Sequence, residues 1–475
     1  MSAPRPAPPR RGCRHPPVAA VPLAAAIAAL AGAPLGAAEL SLESAVATAL
    51  RQNPALLAVE ETRRQVAGGI REARADAFPQ LALVSSWGQS RNPSLLNSPD
   101  FEEFLDQFPG GTFEPRTQEL YRAVLEVEQP LLTFGKVGAA IDLAETVAEA
   151  ADAQIETARL DTGLAAAEAY YRVLAARRGL ATIEAEREFR RRDLERVASL
   201  LEIGEATRLE RLRAAASLAE VEPEIARRQG EVAVAETLLR QVLGLGPEEP
   251  LLLAASEASL PEPPAPAALA AQALAARPEL ADLAFQARVY EQRQAVTRAE
   301  GLPQVDFTGS YGREVRLLRN FDDPLYAAWA FAIGLRWELF DGGRRRGQIA
   351  QFESQRQQLA LRRADLEARV RLEVDQAWSE YRTARARVEA AELAAAAARE
   401  ALRVARESYE QGVATQTDLL DAQSRATAAE VLAIEAFFDA HVQAARLARA
   451  VGRQPTASLG GADATVTTAA GGTHP

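Results

Sequence analysis

Few side chains in this 475-residue sequence could do chemistry. The only histidines are His15, His441 and His474, and the only cysteine is Cys13. There is no HExxH, no glycine-rich phosphate loop, and no serine, histidine and acid set that could form a triad, so an enzyme is not expected. No cofactor or metal site is expected either. His441 falls near Phe437 and Phe438 on a helical face and reads as a packed residue. What remains is electrostatic. Thr415 followed by Asp418 is a capping-box pattern, which places Asp418 in the first turn of a helix. Asp421 follows three residues later and shares its face. The plain readings are a cap for Asp418 and a solvated surface for Asp421. The other is fixed negative charge concentrated on one side of a helix start.

The elements that carry these residues are long. From Arg344 to Gly412 there is no proline, and apolar residues recur every seven positions at Val374, Tyr381, Val388, Ala395, Leu402 and Tyr409. A second series of alanines, from Ala377 to Ala405, runs three residues behind. This is a heptad seam, the mark of supercoiled helices. About 68 helical residues at 1.5 Å each reach roughly 100 Å. The same rod occurs 208 positions earlier, from Ala166 to Leu201, with only Arg187 and Arg190 breaking the apolar series. The chain is therefore a duplication. The expected repeats span 39–245 and 267–452, joined by a proline-rich linker at 246–266.

Each repeat opens with a helix interrupted at Asn53-Pro54 or Arg277-Pro278, and proline suits a helix start. After Phe78-Pro79-Gln80 and Leu302-Pro303-Gln304 the period changes to two, which predicts strands at 80–91, 119–130, 304–312 and 328–340. The joining segments, Arg91–Gln118 and Arg313–Ala327, read as exposed tips. Ten or so residues per strand is enough to cross a bilayer when tilted. Trp87, Trp329 and Trp337 fall in these strands. Trp329 and Trp337 share a face and would differ by roughly 20 Å in height, as two aromatic girdles would. The long helices then span 136–203 and 344–411. Each ends at a glycine, Gly204 or Gly412, followed by Thr207 or Thr415 as the cap of a returning helix, 208–243 or 415–450.

At the N-terminus, arginines up to Arg14, an apolar run from Val18 to Ala33 and small residues to Ala38 read as a secretory signal over 1–38. Cys13 precedes the apolar run, so it does not read as a lipid anchor. Removing the signal takes the net charge from −11 to −15, which argues against nucleic acid. Residues 453–475 read as a disordered tail.

Four strands cannot close a membrane barrel, and open edges are not tolerated in lipid. If the strands face lipid, chains must share a barrel. The doubled repeat, the Asn-Pro and Leu-Pro-Gln edges, Leu339-Phe340-Asp341-Gly342-Gly343-Arg344, the run from Tyr409 to Ala422 and the closing Val451-Gly452 together resemble the TolC-like family of outer-membrane efflux proteins, over about residues 39–453. The resemblance implies a mainly α protein with a small membrane β part. Four transmembrane strands per chain would join a trimeric 12-stranded barrel, continued by a periplasmic α-helical barrel. It implies a homotrimer in outer-membrane lipid, a periplasmic adaptor and an inner-membrane pump as partners, and export of small molecules or, in type I secretion, proteins. It places Asp418 and Asp421 in acidic rings at the periplasmic aperture, makes Tyr409 part of the closed-state lock, and gives the tips around Gly204, Thr207, Gly412 and Thr415 to adaptor contact. Ala414 stands where the family carries a basic latch residue. The alternative is a soluble periplasmic coiled-coil structural or adaptor protein.

Overall fold

A computed structural model describes residues 39–91, 117–254 and 260–456. The expected signal, most of the first tip loop and the tail beyond residue 456 lie outside the described residues. The elements run α1 (Leu42–Gln52), α2 (Pro54–Glu60), α3 (Thr62–Ala75), β1 (Gln80–Ser90), β2 (Gln118–Leu132), α4 (Lys136–Glu202) and α5 (Arg208–Leu243) in the first repeat. In the second they run α6 (Pro266–Ala276), α7 (Pro278–Ala299), β3 (Gln304–Val315), β4 (Ala327–Arg336), α8 (Arg344–Glu410) and α9 (Gln416–Val451).

The rods α4 and α8 are 67 residues each, and the return helices α5 and α9 are 36 each. Each rod packs against its own return helix, and α4 also packs against α9 and α7. The upper seam of α8 is buried at Val374, Ala377, Tyr381, Ala384 and Val388. Toward the tip, Leu402, Ala405 and Tyr409 are half-buried. In α4 one of the two arginines that break the heptad, Arg190, has a reason. Arg190 bridges two elements at once, donating to Ser217 O on α5 at 2.7 Å and to Ser424 Oγ on α9 at 3.1 Å, while pairing with buried Glu186. A rod that serves two partners cannot keep one simple seam.

The helix break before each Pro is a clasp. Asn53 caps α2 by accepting from the Leu56 amide at 3.0 Å, and its Nδ2 donates to Val242 O at 2.8 Å. The equivalent Arg277 donates to Ala450 O at 2.8 Å and pairs with Glu373 at 2.6 Å. Different side chains thus secure equivalent carbonyls near the ends of α5 and α9. The linker is pinned in the same duplicated way. The Tyr170 hydroxyl donates to Ala254 O at 2.8 Å, and at the position 208 residues on, Trp378 Nε1 donates to Pro264 O at 2.9 Å. Tyr381 adds a third bond, to Pro261 O at 2.7 Å. Burial pushes the Tyr170 hydroxyl up to about 12. Residues 453–456 are held as well: Gln454 Nε2 donates to Arg159 O at 3.2 Å and its amide lies over Gly163. The expected disorder of 453–475 therefore does not begin at 453.

The strands form one antiparallel sheet in the order β1-β2-β3-β4. Two boundaries differ from the periodicity. β3 runs to Val315 because β2 is long enough to pair it there, at Tyr121. β4 stops at Arg336, not 340, because its last partner is Gln304. Before Gln304 comes Pro303, which has no amide to donate. Trp337 thus sits just past the strand, donating to Gly301 O at 3.2 Å. The helical stretch after Asn53 is divided at Glu61 and ends at Ala75. From β2 and β4 the chain turns into the rods through Gly135 and Gly343, with φ of 92° and 91°, a region that costs glycine little and other residues much. Among the described residues no helix is long and apolar enough to cross a membrane.

Candidate functional site: the sheet and the hairpin tips

Alternation along the strands sorts side chains onto two faces. One face carries Leu81, Leu83, Trp87, Tyr311, Trp329, Phe331, Ile333 and Leu335, all exposed, with Ile333 71% and Trp329 67% accessible. The other carries Arg122, Glu126, Asp306, Thr308, Ser310 and small residues of β4. There Arg122 pairs with Glu126 at 2.8 Å. Trp87 stands opposite Tyr121 and Trp329 opposite Tyr311 across their ladders. Near the rod ends of the strands, Phe78, Phe134, Trp337 and Phe340 are exposed together, Phe340 at 85%. Among the described residues, this apolar face has no partner. Among the described residues, the backbones of β1 and β4 pair on one side only.

At the opposite end of the rods lie the two hairpin tips, built on one plan. Gly204 and Gly412 take φ of 81° and 73°. The amides that follow close back onto the rods: Glu205 and Ala206 donate to Leu200 O at 2.8 and 3.2 Å, Val413 and Ala414 to Ser408 O at 2.8 and 3.1 Å. Thr207 and Thr415 cap the return helices. The Thr207 amide donates to Glu210 Oε2 at 2.6 Å and the Thr415 amide to Asp418 Oδ2 at 2.9 Å. Both capping boxes are complete. The Thr415 hydroxyl and amide hold the Asp418 carboxyl below the usual carboxylate range.

The tips differ in what surrounds them. Asp418 and Asp421 are exposed on α9, and Asp421 pairs with Arg425 on the same helix at 3.0 Å. Sequence reasoning read Asp418 as a cap or an aperture residue and Asp421 as solvated or lining the aperture, and missed the arginine one turn on. Tyr409 is half-buried beneath Arg196, whose guanidinium carbon lies 4.4 Å from the ring centroid. Arg196 in turn pairs with Asp193 at 2.5 Å, and Asp193 accepts from Gln416 Nε2 at 3.2 Å. Asp193 and Gln416 are both buried, and Gln416 Oε1 has no hydrogen-bond partner among the described residues. So the start of the second return helix is docked onto the first rod through a polar cluster. Neither Asp193 nor Gln416 was singled out from the sequence. The signal available was the charge inside the expected seam of α4. The first tip has no such cluster and instead exposes Ile203, Leu209 and Leu212.

A strongly duplicated chain with long paired rods, an open sheet bearing an apolar outer face, and capped hairpins at the far end is the architecture of a membrane channel protein. The family profile described as outer membrane efflux protein matches residues 45–245 and 269–453, and the chain belongs to that family. It is 30% identical over 262 residues to the outer membrane efflux protein BepC of Brucella suis, a match covering 55% of this chain and 56% of that relative. It is 25% identical over 418 residues to the outer membrane protein OprJ of Pseudomonas aeruginosa, covering 85% and 81% of the two chains. The outer membrane channel CmeC of Campylobacter jejuni has the same fold, with a TM-score of 0.70 at 15% identity over 88% of this chain and 87% of that one. The chain is an outer-membrane protein that extends into the periplasm, and it is not an enzyme.

Proposed function

We propose that this chain is one third of an outer-membrane exit duct. Three copies would pool their sheets into a 12-stranded barrel, and the rods would continue it as an α-helical tube across the periplasm. The tube would dock with a periplasmic adaptor and an inner-membrane pump for efflux of small molecules or type I secretion of proteins. The observation that carries the proposal is the sheet. Its lipid-suited face and two unpaired edges cannot persist in one protomer in a membrane, because each unpaired backbone group there costs several kcal/mol. Purified protein in planar bilayers should open discrete channels, and a protein that leaves bilayers electrically silent ends the reading. The soluble coiled-coil alternative is not favoured, since it would leave Leu83, Trp329, Phe331 and Ile333 in water.

The girdle positions are Trp87 and Trp329 at one height and Trp337, with Phe134 and Phe340, at the other. The tips around Gly204, Thr207, Gly412 and Thr415 would meet the adaptor, with Ile203, Leu209, Leu212 and Val413 as apolar contacts.

The aperture would lie at the second tip. Asp418 and Asp421 from three copies would ring the entrance and favour cations, with Arg425 reducing the charge. Replacing both aspartates by Ala should weaken block by multivalent cations; unaltered block removes the assignment. Tyr409 would help hold the closed state through Arg196, in a chain that has Ala414 where the family carries a basic latch residue. Magnitudes favour a latch that can part. A hydrogen bond to a charged group contributes about 1.5–3 kcal/mol, and leaving a buried oxygen such as Gln416 Oε1 unsatisfied costs about 1–3 kcal/mol. The two nearly cancel.

A further inference from the structure

A groove runs along α4 on the side away from the linker. Tyr170 and Arg177 turn one face of α4 to the linker, donating to Ala254 O at 2.8 Å and Leu251 O at 3.0 Å. Arg172 follows Tyr170 by two residues, about 200° around the helix, and so lies on the far side. There Ala169 and Ala175 form a low floor, walled by Leu238 and Val242 of α5 and by Phe438 and Val442 of α9. The space is about 450 Å³, and it continues past Arg172 and Ala175 into a second of about 570 Å³ beside Val234. Small-molecule sites occupy about 300–1,000 Å³. Ion pairs cross both ends of the groove. At one end Arg446 of α9 reaches Glu168 of α4 at 2.7 Å. At the other, Arg228 of α5 passes over Gly179 of α4 to reach Glu435 of α9 at 3.4 Å. Glu168 and Gly179 stand about 16 Å apart along α4, at 1.5 Å per residue.

The charges of this groove do not cancel. Each carboxylate that lines it is already paired: Glu168 and Glu435 across its ends, Glu231 with Arg227, and Asp439 with Arg387 at 3.3 Å. Arg172 is exposed and has no ion-pair or hydrogen-bond partner among the described residues. It stands where the two halves of the groove join. A guanidinium presents its donors as a rigid fork that fits an oxyanion. An apolar trough with one unpaired guanidinium at its middle therefore suits a molecule with an apolar ring body and one anionic group. The groove also faces the same way as the aperture residues. Asp418 and Asp421 begin a series on α9 that continues at heptad spacing through Arg425 and Leu432 to Glu435 and Asp439, all exposed or half-buried. Glu435 and Asp439 line the groove. With Asp418 and Asp421 ringing the entrance, the groove opens into the bore.

We propose that this groove binds amphipathic organic anions passing through the duct, with the apolar body on the alanine floor and the anionic group on Arg172. The proposal rests on the shared-duct reading and names a class of molecule held on the way out. The mature sequence expected after residue 38 has no cysteine, so one introduced thiol reports on the groove alone. Full-length protein carrying Ala175→Cys is placed in lipid nanodiscs and labelled with a water-soluble maleimide, with and without naphthalene-2-sulfonate. Ala428→Cys, exposed on the same face of α9 and nearer the tip, is the control. The sulfonate should slow labelling at position 175 several-fold and leave position 428 unchanged. Naphthalene-2-methylammonium, with the same rings and the opposite charge, should give no protection. Arg172→Gln should abolish the protection by the sulfonate, and Arg172→Lys should keep part of it. Conductance in planar bilayers is read on the same variants. Open channels in which the sulfonate fails to protect position 175, protects position 428 equally, or still protects after Arg172→Gln overturn the site and leave the duct standing. Arg172-dependent protection in a protein that is silent in bilayers keeps the site and removes the duct. Silence without protection overturns both.

Discussion

The contact between α4 and α9 has an apolar core, flanked by the Arg446–Glu168 and Arg449–Asp161 ion pairs, at one end and a polar core at the other. At the end near the linker, Tyr171 and Phe438 are buried with ring centroids 6.3 Å apart, in a cluster that also holds Val173, Leu239 and Ala45. At the tip end the same two helices meet through Asp193, Gln416 and the Arg196–Tyr409 stack. Apolar burial at about 25 cal/mol per Å² has no competing partner in water. A polar contact exchanges one set of hydrogen bonds for another and nets little. The pair is therefore built to stay closed near the linker and to part near the tip. The two hairpins repeat the lesson in another form: the turn and cap are the same, but only the second tip is tethered to the neighbouring rod.

Five measurements would break or sharpen this contrast. Phe438→Ala should cost about 3–5 kcal/mol of stability in thermal or denaturant unfolding, with conductance of the surviving channels near wild type; a large conductance change from this end would erase the distinction. Asp193→Ala should cost about 1–3 kcal/mol, since it leaves the buried Gln416 amide without its acceptor while partly solvated Arg196 can rehydrate, and should raise conductance several-fold. Glu210→Ala, at the untethered tip, should leave conductance unchanged. If both tips respond alike, the tether is not the latch.

Thr207→Ala and Thr415→Ala should each cost about 1 kcal/mol through loss of the cap, read as equal shifts in unfolding midpoint. Only Thr415→Ala should also alter conductance. The smallest effect is with pH. The Thr207 amide and the Thr415 hydroxyl hold the Glu210 and Asp418 carboxyls below the usual range. A depressed folded value means the cap is fully present above the unfolded carboxylate pKa, about 4, and is lost as pH falls through the folded value. The midpoint difference between wild type and either threonine variant should thus hold at neutral pH and shrink well below pH 4. A difference already shrinking at pH 6 would show the capping carboxylates were not held down.

Much of this was legible in residue order because it depends on local periodicity. The heptads of α8, the switch to period two after Gln304, and the Gly412-to-Asp418 turn each follow from neighbours within a few residues, and duplication let one repeat check the other. Strand ends were less legible: β4 stops at Arg336 because Pro303 on another strand's approach cannot pair, which Trp337 itself does not reveal. What only the tertiary structure decided were meetings across hundreds of residues. Asp193 finds Gln416, Arg196 covers Tyr409, Tyr170 and Trp378 hold the linker, and Arg425 offsets Asp421 by its actual rotamer. The sequence determined which helices and strands exist, since backbone hydrogen bonding and side-chain period are local. It left open which charged residues inside a seam would be buried and paired, because that depends on how two rods and two return helices stack, and only the packed chain settles it.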